Sequence, residues 1–97
     1  MPRVLVAPAA RDDLHALIRT HSLPPDTKAR VARSLRHLER FPQLGRLLET
    51  GRWSGYPFVL GPWRWLLVLY KFDEEGQIVM VASLQDARSS TAATTRR

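Results

Sequence analysis

The stretch Trp63-Arg64-Trp65-Leu66-Leu67-Val68-Leu69-Tyr70-Lys71-Phe72 decides the architecture. It is rich in aromatic and branched residues, and it is apolar at odd and even positions alike. A strand with one wet face alternates apolar and polar residues. Apolar residues on both faces therefore predict a central strand covered on both sides. Asp73-Glu74-Glu75-Gly76 follows as a turn, and residues 77–85 form a second β-run, again apolar on both faces. On the other side Gly61-Pro62 breaks the chain. Residues 56–60 read as a strand, with Pro57 placing it at an edge or a bulge.

Further out, residues 44–51 read as a connector with a short helical turn at Leu47-Leu48. The N-terminal part is helical. Residues 3–7 form a short β-prone run, and Pro8 then opens a helix, where its missing N–H costs nothing. Asp12 and Asp13 are expected in the first turn, at the positive helix end. Ala10, Leu14, Leu17 and Ile18 recur at helical spacing, and Pro24-Pro25 ends the segment. A second helix is predicted over residues 25–40, with Val31, Leu35 and Leu38 as its apolar stripe and Pro42 as its stop. Arg33, Arg36, His37 and Arg40 make a basic stripe on the same helix: a solvated face or a partner contact. The order is β-α-α-β-β-β. Strands segregated from helices predict an α+β domain, with a helical hairpin packed on one face of a mainly antiparallel sheet. The domain is expected over residues 1–89, with residues 90–97 as a flexible C-terminal tail.

The chain has 97 residues, which suits one domain, and 44% of them are hydrophobic, enough for a core. No cysteine is present, which excludes a disulfide framework, a thiolate metal site and a cysteine nucleophile. His15, His21 and His37 are scattered and read as surface residues, so neither a metal nor a cofactor is expected. No Ser-His-Asp pattern, Gly-rich phosphate loop or HExxH motif occurs. The longest apolar run is too short for a bilayer, which needs about 20 residues. The first residues lack a signal-peptide pattern, and the reading is a soluble cytoplasmic protein with no membrane partner. Net charge is +6 and the pI about 11.1. Arginine supplies most of the positive charge, Lys28 and Lys71 being the only lysines. Such a balance suits a polyanionic partner, whether nucleic acid, ribosome or acidic protein.

Pairing Phe72 with Gln77 across the acidic turn sets Arg64 opposite Gln85. A tight Gly61-Pro62 turn pairs Leu60 with Trp63 and Val59 with Arg64. Arg64, Gln85, Asp86 and Arg88 are then expected together at one end of the sheet. Arg64 stands at the mouth of an apolar strand and needs an anion. That anion is either an internal carboxylate, Asp86 or Glu49, or a phosphate gripped by its planar fork. Trp63, Trp65, Tyr56 and Phe58 either stack on bases or fill the core, and aromatic residues in strands favour the core. Arg33, Arg36, Arg40, Arg52 and Trp63 complete the candidates for nucleic-acid contact.

Three segments resemble the RelE/ParE toxin superfamily, and the likeness runs over residues 4–89. They are Pro8-Ala9-Ala10-Arg11-Asp12-Asp13-Leu14, Leu35-Arg36-His37-Leu38-Glu39-Arg40-Phe41-Pro42-Gln43-Leu44-Gly45, and above all Gly61-Pro62-Trp63-Arg64-Trp65-Leu66-Leu67-Val68-Leu69-Tyr70. The last resembles the family's Gly-x-aromatic-Arg…Tyr strand. The resemblance implies the toxin of a type II toxin–antitoxin pair, neutralised by a cognate acidic antitoxin that wraps it. RelE-like members cut messenger RNA on the ribosome, whereas ParE-like members inhibit DNA gyrase without nuclease activity. Arg64 matches the strand arginine that RelE-like nucleases set against phosphate, and Arg88 matches an arginine after the last strand. The chain departs from RelE at Pro57 and Val59, where basic residues are usual. It also lacks a Tyr or His in residues 89–97. The general acid/base role is left to Asp86. Three readings follow: a toxin acting on the ribosome and its message, a ParE-like gyrase inhibitor, and a degenerate binding module without toxicity.

Overall fold

A computed structural model describes residues 2–49 and 51–88. The elements are β1 (Arg3–Val6), α1 (Pro8–His21), α2 (Thr27–Arg40), β2 (Arg46–Leu47), β3 (Pro57–Leu60), β4 (Leu66–Asp73) and β5 (Ile78–Asp86). They build one five-stranded sheet in the order β1-β5-β4-β3-β2. Helices α1 and α2 pack on one of its faces, as the α+β reading expects.

The core lies between hairpin and sheet. Leu66, Val68 and Tyr70 of β4 and Val79, Val81 and Leu84 of β5 meet Ala10 of α1 and Val31, Leu35 and Leu38 of α2. Leu67 and Leu69, the alternate residues of β4, are buried too. The doubly apolar pattern of this strand thus reports a centre covered on both faces.

The sheet departs from the expected antiparallel form at one edge. β1 runs parallel to β5, pairing Arg3 with Ile78 through Val6 with Val81. Parallel neighbours need a long crossover, and the hairpin and the β2–β4 segment supply it between them. The connector expected at 44–51 also holds a strand: Arg46 and Leu47 pair with Phe58 and Pro57. Two residues are too few to show a period, and the helical turn expected at Leu47-Leu48 is absent. Pro57 is therefore not on an edge strand. It is the first residue of β3, where a missing N–H is tolerated.

Both expected registers shift. β5 pairs Ile78 with Asp73 and Val79 with Phe72, two residues away from the expected Phe72–Gln77 pair. The turn is Glu74–Gln77 in effect, with Gln77 in the left-handed region (φ 52°) and its Nε2 donating to Glu74 O at 2.8 Å. A bulge between Leu69 and Tyr70 then moves the pairing by one more residue. On the other side Leu60 pairs with Leu67 and Val59 with Val68, not with Trp63 and Arg64. Trp63, Arg64 and Trp65 lie in the turn before β4. That turn is closed by Gly61 N–H on Leu66 O at 2.9 Å and Leu66 N–H on Trp63 O at 3.1 Å. With Gly61 N–H bonded to Leu66 O, residues 62–65 form the loop and a two-residue turn is excluded.

Asp12 and Asp13 lie beyond the first turn of α1. Past Val6, β1 no longer covers β5, and Asp13 serves this open edge. Its Oδ2 accepts from the Ser83 hydroxyl at 2.6 Å and from Leu84 N–H at 3.1 Å. A buried strand N–H without a partner is costly, so this carboxylate closes the sheet where the strand stops. The expectation for residues 90–97 falls outside the described residues. Among those described, no helix is long and apolar enough to cross a membrane.

Candidate functional site at the hairpin tip

The tip of the helical hairpin, the turn before β4 and the exit of β5 meet at one end of the sheet. Helix α1 ends at His21, followed by Ser22 in the left-handed conformation (φ 50°). His21 Nε2 lies 2.9 Å from Asp86 Oδ2, although 65 positions separate them in sequence. An ionised carboxylate only accepts, so Nε2 carries the proton of this bond. The His21 ring meets Trp65 edge-to-face, with centroids 5.1 Å apart at 81°. Trp65 stacks on Trp63 at 5.6 Å and 12°.

Asp86 is the hub of this end. Its Oδ1 accepts from Arg88 N–H at 2.8 Å and from Arg88 Nε at 3.0 Å, and its Oδ2 from Arg88 Nη2 at 3.1 Å as well as from His21. The Asp86 side chain is only 13% exposed. Its pKa is lowered, first by the Arg88 side-chain bonds, with burial opposing and His21 adding a smaller pull. The same contact raises the Arg88 pKa. A carboxylate so firmly ionised is a weak base and a poor proton donor at neutral pH. Its geometry suits holding two neighbours in place.

Arg88 lies over Trp65, its guanidinium carbon 4.8 Å from a ring centroid. Arg64 is exposed, and among the described residues it forms no ion pair. The carboxylate considered for it, Asp86, is taken by Arg88 and His21. Leu66 pairs with Asp86, and the ladder continues one step further through Ala87 N–H on Trp65 O at 2.6 Å. Arg64 precedes Trp65 in the same turn, and Arg88 lies over that indole. Arg64, Gln85, Asp86 and Arg88 thus share one end, although Arg64 faces Gln85 no longer.

The other candidates disperse. Arg33, Arg36 and Arg40 are exposed on the outer side of α2. Arg52 lies 5.7 Å over Trp53 in the loop before β3, at the opposite end of that strand from Arg64. Trp63 is half-buried against the core, and Arg30, itself paired with Asp26 at 3.0 Å, stands 6.0 Å over it. A cleft of about 270 Å³ opens beside His21, walled by Asp13, Thr20, Gln85 and Asp86 among others, with neither Arg64 nor Arg88 in its lining. The two guanidiniums therefore share an end of the sheet without sharing an enclosed hollow. His21 is the residue that sequence reasoning missed. Its only local signal is its place in the last turn of α1, just before the hairpin tip.

A scan against family models gives no match, and a search of curated proteins gives none. Among solved structures, the toxin–antitoxin complex RelBE2 from Mycobacterium tuberculosis is similar. The likeness covers 89% of this chain and 99% of that chain, with a TM-score of 0.64 and 26% sequence identity. The chain has a RelE-like fold.

Proposed function

We propose, from this RelE-like fold, that the chain is the toxin of a toxin–antitoxin pair and inhibits translation by acting on ribosome-bound message. The carrying observation is the structural likeness to a chain of the RelBE2 complex, which spans 99% of that chain and 89% of this one. The chemistry at the hairpin tip supports it. Arg64 is an exposed cation in a turn that carries two stacked indoles, and its planar fork suits a phosphate. As cleavage proceeds, charge grows on the phosphate oxygens, and a cation already in place stabilises that charge more than the ground state. Asp86 orients Arg88 on Trp65. Net charge of +6 draws the chain toward ribosome and RNA, and toward an acidic antitoxin.

Induced expression followed by mapping of RNA 5′ ends tests this reading. Messages cut at codon-related positions, with cutting and growth arrest both lost in Arg64→Ala, are the expected result. Full toxicity in Arg64→Ala with intact messages would count against it.

One observation favours a second reading. Arg88 commits its backbone N–H, Nε and Nη2 to Asp86, which leaves Arg64, among the described residues, as the unpaired member of the expected phosphate-binding couple. A binding-only inhibitor of DNA gyrase, like ParE, needs no such couple. DNA-damage signalling with intact message would select it, and an absence of any growth effect would select a non-toxic binding member of the family.

A further inference from the structure

An arginine pair holds and polarises phosphate, yet it cannot shuttle protons, because a guanidinium stays protonated to pH above about 12. Asp86 is held as a carboxylate and is equally unsuited. The proposed cleavage therefore lacks a proton carrier unless another element brings one.

We propose that His21 is that carrier: a general base presented to RNA from the end of α1 and oriented by Asp86. The proposal rests on the nuclease reading above. Of the three imidazoles, this is the one the fold brings to the end where Arg64 and Arg88 stand. His15 lines a groove between the two helices, and His37 is exposed on α2. Two contacts fix the His21 ring, the 2.9 Å bond to Asp86 and the edge-to-face packing on Trp65. The same indole carries Arg88 on it and is the next residue after Arg64. Among the described residues Nδ1 has no hydrogen-bond partner, so it is the nitrogen left for substrate.

The arrangement repeats the logic of an oriented histidine. A neighbouring carboxylate fixes the tautomer through one nitrogen and steadies the imidazolium that forms when the other takes a proton. In RNA, His21 Nδ1 takes the proton of a ribose 2′-hydroxyl as that oxygen bonds to the neighbouring phosphorus. The bond from phosphorus to the 5′-oxygen breaks, the leaving oxygen takes a proton from solvent, and a 2′,3′-cyclic phosphate remains. The substrate class is thus RNA with a free 2′-hydroxyl at the cut. A single 2′-deoxy substitution there abolishes the reaction.

The test is cleavage of messenger in a reconstituted translation reaction, followed against pH. The charged groups near His21 are Asp86 and Arg88 at the end of β5, Arg19 in its own turn, and Asp13, which walls the same cleft. None of these is altered in His21→Gln, whose carboxamide still donates to Asp86 while losing the ability to take a proton. The wild-type rate is expected to rise with pH along a limb that His21→Gln lacks, with the rate falling about 100-fold or more. Thermal melting reports whether the variant folds, and His21→Asn serves if it does not. Cleavage by a folded variant within about threefold of wild type, with the limb intact, overturns the role of His21 and leaves the nuclease reading standing. No cleavage by the wild-type protein overturns both.

Discussion

Replacing Gly45 with alanine tests how the edge of the sheet is tied to its centre. Gly45 N–H donates to the Tyr70 hydroxyl at 2.8 Å, linking the segment before β2 to the middle of β4. Tyr70 is fully buried, and burial raises its pKa, so the phenol stays neutral and depends on this one partner. A Cβ at position 45 would stand 2.5 Å from Tyr70 Oη, 2.8 Å from Phe58 O and 2.9 Å from Tyr70 Cε1. A buried ring and a strand carbonyl have little room to retreat. Overpacking of this kind costs roughly 1–3 kcal/mol. Loss of the hydrogen bond adds about 1 kcal/mol, the half-buried N–H at position 45 being able to regain water. The expected total for Gly45→Ala is therefore about 2–4 kcal/mol. Tyr70→Phe removes the acceptor without adding an atom and should cost about 1–2 kcal/mol. The double variant discriminates. Deleting Oη removes the nearest clash but leaves Phe58 O and the ring carbon, so the combined loss should fall short of additivity by about 1 kcal/mol. Urea unfolding with an unchanged m-value measures each term, and each kcal/mol lowers the midpoint of thermal unfolding by about 4–8 °C. A Gly45→Ala protein as stable as wild type, or strictly additive losses, would refute the reasoning.

Three further outcomes follow from the same geometry. Asp86 has a lowered folded pKa, so its contribution to stability is fully present above the ordinary aspartate range and is lost as pH falls through the folded value. The stability gap between wild type and Asp86→Asn should hold steady near neutral pH and narrow in acid. A gap that widens in acid reverses the sign and the argument. Asp13→Ala leaves Leu84 N–H and the Ser83 hydroxyl without an acceptor at the open edge of β5, and urea unfolding should show a loss of about 2–3 kcal/mol. Alanine at Arg33, Arg36 or Arg40 should change stability by no more than about 0.5 kcal/mol each, since these side chains are solvated, and circular dichroism melts would show a larger effect.

Chain-local physics made much of this protein readable without coordinates. The apolar stripe of Val31, Leu35 and Leu38 and the flanking prolines specified a helical hairpin, because helix periodicity and proline breaks are local. The doubly apolar run over residues 63–72 specified a buried central strand, which the structure forms from Leu66 onward, because burial on both faces leaves its mark on successive residues. The placement of Arg64, Asp86 and Arg88 at one end also survived a register error, since a slip of two residues moves a pair along the strand without changing which end it occupies.

Only the tertiary structure decided the pairing and the charge state of the site. Register depends on where a turn closes, and the left-handed Gln77 and the bulge at Leu69/Tyr70 are backbone choices that no period reveals. The parallel contact of β1 with β5 joins segments some 75 residues apart, and the two-residue β2 exists through pairing alone. The pairing of Arg88 with Asp86 is close in sequence. The arrival of His21 on that same carboxylate, across 65 positions, is a product of the hairpin folding back over the sheet. Sequence fixes which groups a chain carries and which local shapes it prefers. Which of those groups neutralise one another is set by distances of about 3 Å that exist only after folding.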